Sequence, residues 1–284
     1  MRDLDKISAD GLLSDDLAPL LWHPERLDKP SAWVGHIPFA HWLVCAARPR
    51  LIVELGTHNG VSYSAFCAAV KRTGSSSRCF AVDTWQGDAH AGHYAEDIFN
   101  ELKRFHDEHY CGFSTMLRMT FDEAVGRFDD ASIDILHIDG LHTYDAVRHD
   151  FETWLPKLSD RAVVLFHDTA EHREDFGVWH LWEDIRGHYP SFEFLHSYGL
   201  GVLCVGRAAP EPVLRLCATT APEDVAKIRE RFQFAGERWI AEARVMQLEA
   251  QIANIGTYVP LRKIASVRRT IRGLLESYYK QGPR

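Results

Sequence analysis

Short apolar runs alternate with amphipathic stretches between about residue 50 and residue 207, and the alternation predicts strands and helices in turn. Leu51-Ile-Val-Glu-Leu55 reads as a buried strand, Gly56-Thr-His-Asn-Gly60 as a turn, and Val61 to Arg72 as a helix with small and apolar residues on one face. Cys79–Asp83 gives a second strand. Asp97–His109 gives a helix whose Ile98, Leu102 and Phe105 fall at i, i+4 and i+7. A third strand falls near Phe113–Leu117. Asp134–Asp139 and Ala162–Phe166 follow as strands, with a Tyr144–Leu155 helix between them. Phe192–His196 and Gly201–Gly206 predict an antiparallel pair around the Tyr198-Gly-Leu-Gly201 turn.

Either side of this region the pattern changes. Before residue 49 the chain reads as helix and loop, punctuated by Pro19, Pro24, Pro30 and Pro38. After Pro210 and Pro212 it reads as one long helical stretch, in which Val225, Ile228, Phe232, Ala235, Trp239 and Met246 keep an approximate heptad rhythm. Leu248, Ile252 and Ile255 extend an apolar face, and Pro260 ends the helix. The expected organisation is a helical lead over 1–48, an α/β domain over 49–208 and a helical, basic extension over 209–284. Alternating strands and helices predict a parallel sheet covered on both faces. Ligands of such sheets bind beyond the carboxyl ends of the strands, where strand order reverses. Polar residues stand just after strands here, at Glu54 to Gly60, Asp83, Asp139 and His167-Asp168.

Composition narrows the class without deciding it. With 46% hydrophobic and 25% charged residues in 284, the chain is ordinary globular protein rather than a disordered or collagen-like one. The longest uncharged apolar stretch, Trp42 to Ala47, is too short to cross a bilayer. Five aspartates in residues 1–20 do not fit a signal peptide, so a cytoplasmic location is expected. The six cysteines lie singly, with no C-x-x-C pair to suggest zinc or redox work. A net charge of −8 disfavours nucleic acid as a partner. Residues 222–284 hold 12 Lys/Arg and 7 Asp/Glu, net +5, which leaves −13 for the rest. A basic tail on an acidic body reads as a separate module: a homo-oligomer through the C-terminal helix is the leading expectation, with peripheral membrane contact by residues 261–280 or packing on the chain's own body as the alternatives.

Two constellations carry chemistry. The first is Val53-Glu54-Leu55-Gly56-Thr57-His58-Asn59-Gly60, a strand running into a glycine turn and then a helix. Thr57 stands where a G-x-G-x-x-G fingerprint has its middle glycine, and an acid at the strand end suits a cationic amino-acid end better than a phosphate. Asp83, ending the next strand, has two oxygens for the hydroxyls of a ribose. A ribose and an amino acid without phosphate describe S-adenosylmethionine; a purely structural glycine turn is the plainer alternative. The second constellation is His137-Ile-Asp139-Gly-Leu-His142 after one strand and His167-Asp168-Thr169 after the next. Neighbouring strands lie about 5 Å apart, so Asp139 and Asp168 can converge. Two carboxylates with an optional imidazole suit magnesium or manganese. His142, three residues beyond Asp139, can serve as general base. His137, mid-strand, reads as a packed core histidine.

At these motifs the sequence resembles the class I S-adenosylmethionine-dependent methyltransferases, and within them the metal-dependent O-methyltransferases that include the macrolide-sugar enzymes and domains of glycan-assembly proteins. The resemblance spans about Leu51 to Gly206. It is carried by Glu54-Leu-Gly-Thr-His-Asn-Gly60-Val-Ser62, Val82-Asp83-Thr84-Trp85-Gln-Gly-Asp88, His137-Ile-Asp139-Gly-Leu-His142-Thr-Tyr144, Asp150-Phe-Glu-Thr-Trp154-Leu-Pro156 and Phe166-His167-Asp168-Thr169. It implies a Rossmann-like α/β fold with a seven-stranded, mostly parallel sheet, helices on both faces and a C-terminal helical tail. It implies cofactor contacts at Glu54, Gly56, Thr57, Gly60, Ser62, Asp83 and Trp85, with Asp88 and His90 as cofactor-side or lid residues. It further implies Asp139, His167 and Asp168 around the metal and His142 as base, although related sites more often have an acid where this chain has His167. The implied activity is O-methylation of a sugar or glycan hydroxyl. A small phenolic or natural-product acceptor, or a non-catalytic docking role in glycan assembly, are the alternatives.

Overall fold

A computed structural model describes residues 17–88, 92, 93, 96–173 and 175–255. The strands are β1 (Leu51–Leu55), β2 (Arg78–Asp83), β3 (Ser114–Arg118), β4 (Ile133–Ile138), β5 (Leu158–His167), β6 (Ser191–Phe194) and β7 (Leu200–Cys204). They form a seven-stranded sheet in the order β3-β2-β1-β4-β5-β7-β6. Strand β7 runs antiparallel to both its neighbours, and the other pairs are parallel. The chain builds outward from β1 to β3, then returns to β4 and builds the other way, so strand order reverses between β1 and β4. The implied seven-stranded, mostly parallel sheet is therefore present.

The helices are α1 (Ile37–Ala47), α2 (Val61–Thr73), α3 (Glu96–His109), α4 (Phe121–Val125), α5 (Tyr144–Trp154), α6 (Val178–Ile185), α7 (Glu211–Ala218) and α8 (Pro222–Ile255). Successive strand residues face opposite ways, and the core divides accordingly. Ile52, Ile135, Val163, Leu165 and Val202 join α1, α2, α3, α7 and α8 in one apolar cluster. Val53, Leu55, Leu136, Val164, Phe166 and Leu203 join α4, α5 and α6 in the other. Local signals set the helix ends. Gly60 and Gly74 bracket α2 in left-handed conformation, Thr120 and Glu123 close a capping box on α4, and Thr143 caps α5.

The structure departs from the pattern reading in three places. Strand β5 begins at Leu158, four residues earlier than the apolar run, because the buried Ser159 hydroxyl donates to Asp134 Oδ1 at 2.6 Å and keeps a polar start in the sheet. The long helical stretch is broken at 219–221, and Pro222 opens a new helix, as a residue with no N–H can. The heptad face of α8 is packed on the chain's own body: Ile228, Phe232, Ala235 and Trp239 are buried in the first cluster, with Phe232 against Phe39 and Phe194. That face is thus not open for pairing two copies; Met246 at its end is 39% exposed. Gly236 crosses the short 3₁₀ turn Ala32–His36 so closely that a Cβ there would stand 2.1 Å from the Gly35 carbonyl oxygen. The boundaries expected at residues 48 and 208 fall within that continuous cluster. The Pro260 stop and the basic segment 261–280 lie outside the described residues. Among the described residues no helix is long and apolar enough to cross a membrane.

Asp150, on α5, is buried, and loss of hydration pushes its carboxyl up to about 7 against the opposing pull of His149. The native chain then holds this proton over a range in which the unfolded chain has released it, so Asp150 makes stability fall as pH rises from about 4 to about 7. Replacing it with Asn removes that slope. Thermal unfolding should show the advantage of Asp150→Asn over wild type growing between about pH 5 and about pH 8. A constant difference would contradict this account.

Candidate active site

Register places the site. Leu55 pairs with Val82 on one side and Ile138 on the other, and Ile138 pairs with Phe166. The next residues along these strands, Gly56, Asp83, Asp139 and His167, therefore form a row at the carboxyl ends. A cleft of about 680 Å³ opens there, lined by the glycine turn, Asp83, Asp139, His142, His167 and Asp168, with Phe121, Phe176 and Tyr198 among its walls.

The glycine turn is held by contacts from three directions. Gly56 has φ +86°, and a Cβ on it would lie 2.0 Å from the Asp139 carbonyl oxygen. Asp83 accepts from the Thr57 and His58 amides at 2.9 Å each through Oδ2, and from the Trp85 amide at 2.7 Å through Oδ1. A carboxylate offers about four lone-pair sites, so Oδ1 keeps capacity toward the cleft. Arg26, 2% exposed, donates to the Asn59 carbonyl at 2.7 Å and pairs with Glu101. Trp85 does not line the cleft. It is buried against Phe99 and donates its indole N–H to the His58 carbonyl at 3.0 Å, so it supports the turn from behind.

Glu54 lies one layer below the cleft, wholly buried. Burial raises its pKa, and His137 and the nearby Ser62 hydroxyl oppose the rise. Glu54 Oε1 and Thr57 Oγ1 are buried with no hydrogen bond in the protein. His137 is the packed strand histidine expected from its position.

Beyond β4 and β5 two carboxylates face two imidazoles. His142 Nε2 stands 3.0 Å from Asp168 Oδ2 and 3.6 Å from Asp139 Oδ1. His167 Nδ1 stands 3.3 Å from one oxygen of each. Burial alone would disfavour every charge here. The two histidines nonetheless hold Asp139 well below the usual carboxylate range and Asp168 below it. Against the same loss of hydration, the carboxylates push His142 up to about 9 and His167 up to about 10. His167 Nε2 donates to the Ser197 carbonyl at 3.1 Å, which directs Nδ1 at the carboxylates. The Phe176 ring stacks on His142 at 4.7 Å and 11°. Asp168, His58, Trp85, Ser197 and Tyr198 all have positive φ, so left-handed backbone is concentrated around this cleft.

The row thus unites Gly56, Thr57, Gly60, Ser62, Asp83, Asp139, His142, His167 and Asp168 around one cleft, with Glu54 and Trp85 behind it. Asp88 falls in a two-residue strand pair, Gly87–Asp88 with Gly92–His93, and His90 lies outside the described residues. Sequence reading missed Arg26, Ser197 and Phe176.

Residues 53–169 match the family model described as a methyltransferase domain. The uncharacterized protein y4gI of Sinorhizobium fredii is 47% identical over 224 residues, which make up 78% of this chain and 24% of that protein. The chain therefore spans about a quarter of the length of the curated relative it matches. Among solved structures, the O-methyltransferase TomG of Streptomyces achromogenes, in complex with S-adenosylmethionine, is 15% identical with a TM-score of 0.49, covering 72% of this chain and 100% of its own. The methyltransferase PaMTH1 of Podospora anserina is 10% identical with a TM-score of 0.46, covering 68% and 91%. Arg26 and Phe176 lie outside the span that matches the methyltransferase domain.

The Gly56 approach gives a test of the row. Gly56→Ala should cost several times the roughly 1 kcal/mol expected for Gly74→Ala, whose Cβ meets nothing within 4 Å at a comparable positive φ. Chemical denaturation of the two variants measures the difference, and equal costs would show that the turn can move away from Asp139.

Proposed function

We propose that this chain is an S-adenosylmethionine-dependent O-methyltransferase, assisted by a divalent cation and acting on a hydroxyl of a sugar or glycan. The observation that carries the reading is that Asp139, His142 and Asp168 share one cleft with the glycine turn and Asp83, so an acceptor oxygen and a methyl donor can meet. The two unpartnered buried oxygens, Glu54 Oε1 and Thr57 Oγ1, fit a cofactor with a cationic amino-acid end. The remaining capacity of Asp83 fits a ribose hydroxyl. The sugar acceptor follows from the motif resemblance, and Phe121, Phe176 and Tyr198 offer ring faces against which a sugar can pack.

Ligand-capable atoms of Asp139, His142 and Asp168 lie within 4.8 Å of one another, and the ion pairs of both carboxylates are to histidines, which can give up a proton to a cation. Asp139 and Asp168 would hold a magnesium or manganese ion. His167 joins them, because its Nε2–H is committed to Ser197 and its Nδ1 faces the pair. His142 then remains for the acceptor. A bound cation supplies charge that lowers the pKa of an acceptor hydroxyl and offsets the carboxylates that otherwise keep His142 protonated. Bound S-adenosylmethionine supplies a methyl on a sulfonium, a strong leaving group. His142 Nε2 would take the acceptor proton during transfer to that oxygen, and no covalent enzyme intermediate is required. The Phe176 ring keeps the imidazole plane fixed, and Gly56 and Gly60 let the cofactor approach the backbone.

Calorimetry should give micromolar binding of S-adenosylmethionine, weakened about tenfold or more in Asp83→Ala, as expected for loss of a half-buried hydrogen-bonding carboxylate. Manganese binding should be lost in Asp168→Asn while cofactor binding persists. Methyl transfer to sugar acceptors, followed by mass spectrometry, should be lost in His142→Ala. No cofactor binding under any condition would overturn the enzyme reading in favour of a docking module. Transfer to phenolic acceptors alone would overturn the sugar assignment.

A further inference from the structure

Trp33 sits in the Ala32–His36 turn, outside the matched methyltransferase span and 1% exposed. Its indole Nε1–H donates to His137 Nε2 at 3.1 Å, and the other ring nitrogen of His137, Nδ1, stands 2.8 Å from Glu54 Oε2. An indole N–H can only donate. His137 Nε2 must therefore be the bare, accepting nitrogen, which leaves the proton on Nδ1, donated to Glu54. All three side chains are essentially excluded from water. Within this buried chain the direction of each hydrogen bond is fixed by the one before it, and the chain starts at Trp33. Its far end is Glu54 Oε1, buried and unbonded.

We propose that Trp33 is a positioning residue. Acting through His137, it holds Glu54 as an oriented acceptor whose Oε1 is kept for the cationic amino-acid end of the cofactor. The proposal rests on the cofactor reading above, because Glu54 has a ligand to position only if that reading holds. The turn that carries Trp33 is itself fixed: the Ser31 hydroxyl accepts from the Trp33 amide at 3.1 Å, and His196 Nε2 donates to the Gly35 carbonyl at 3.2 Å. The indole also packs edge-on against Phe66 and His137 at 5.6 and 5.1 Å. Trp33→Phe keeps an aromatic ring in that packing and deletes the donor. With no donor facing Nε2, His137 can carry its proton there and turn a bare Nδ1 toward Glu54, and the carboxylate loses its anchor.

Two measurements test this separately. Nitrogen-15 NMR of histidine-labelled wild-type protein, with His137→Asn identifying the signals, should show His137 as the Nδ1–H tautomer; in Trp33→Phe that state should be lost. An Nε2–H tautomer in the wild type overturns the proposal, whether or not the cofactor binds. Calorimetry should show S-adenosylmethionine binding weakened about tenfold by Trp33→Phe, the size expected for one hydrogen bond to a charged group, with the acceptor KM unchanged. An asparagine at position 137 presents an amide N–H where Nδ1–H stood and needs no donor behind it. In the His137→Asn background Trp33→Phe should cost no further affinity. An equal loss in both backgrounds would assign Trp33 a packing role and overturn the proposal. A wild type that shows the Nδ1–H tautomer but binds no cofactor removes the function proposed for the site, and with it any role for Trp33 in positioning Glu54 for a ligand.

Discussion

Two backbones meet at Gly56 and Asp139 with no room for a side chain between them, and the rest of the site follows from that approach. Parallel pairing of β1 with β4 brings the strand ends level, and the absence of a Cβ lets the turn after β1 lie against the first residue after β4. The Asp139 amide completes the seam by donating to the Leu55 carbonyl at 2.8 Å. A larger residue at position 56 would part the turn from the carboxylates and split one cleft into two unrelated depressions. The geometry that lets a donor and an acceptor meet is thus a property of the backbone.

Charge is organised on the same principle of mutual dependence. Asp139, Asp168, His142 and His167 each lose hydration by burial, and the two carboxylates and the two imidazoles keep one another ionised across the pairs. Such a quartet is neutral overall and easily exchanged, since two protons can leave for one divalent cation without changing its net charge. Glu54 is treated differently. One buried histidine faces that carboxylate, and the other side of its ring meets an indole rather than a second acid.

Much of this was legible in the sequence because the sheet writes itself locally. Leu51–Leu55 is a strand with the bounds its apolar run suggests, and polar residues directly after strand ends are those the register gathers. What local pattern cannot express is a partner far away in sequence. Trp33 and His137 are 104 positions apart, and Arg26 and Asn59 are 33 apart; nothing beside either residue marks the pairing. The apolar stripe of α8 was visible, yet periodicity says only that a face will be covered and leaves open by what. Trp85 reads as a cleft residue from its place after β2, but its left-handed backbone turns the ring inward, a rotation no composition rule contains.

The contact of Gly236 with Gly35 also bears on how this unit can be cut and joined. Helix α8 closes over the turn that carries Trp33, so early and late portions of the sequence grip each other on one side of the sheet. A fragment trimmed to the recognisable span 53–169 keeps the cleft's floor and discards the props beneath the glycine turn and the strand acid. The portable piece is set by that clasp and not by the limits of the motif-bearing segment.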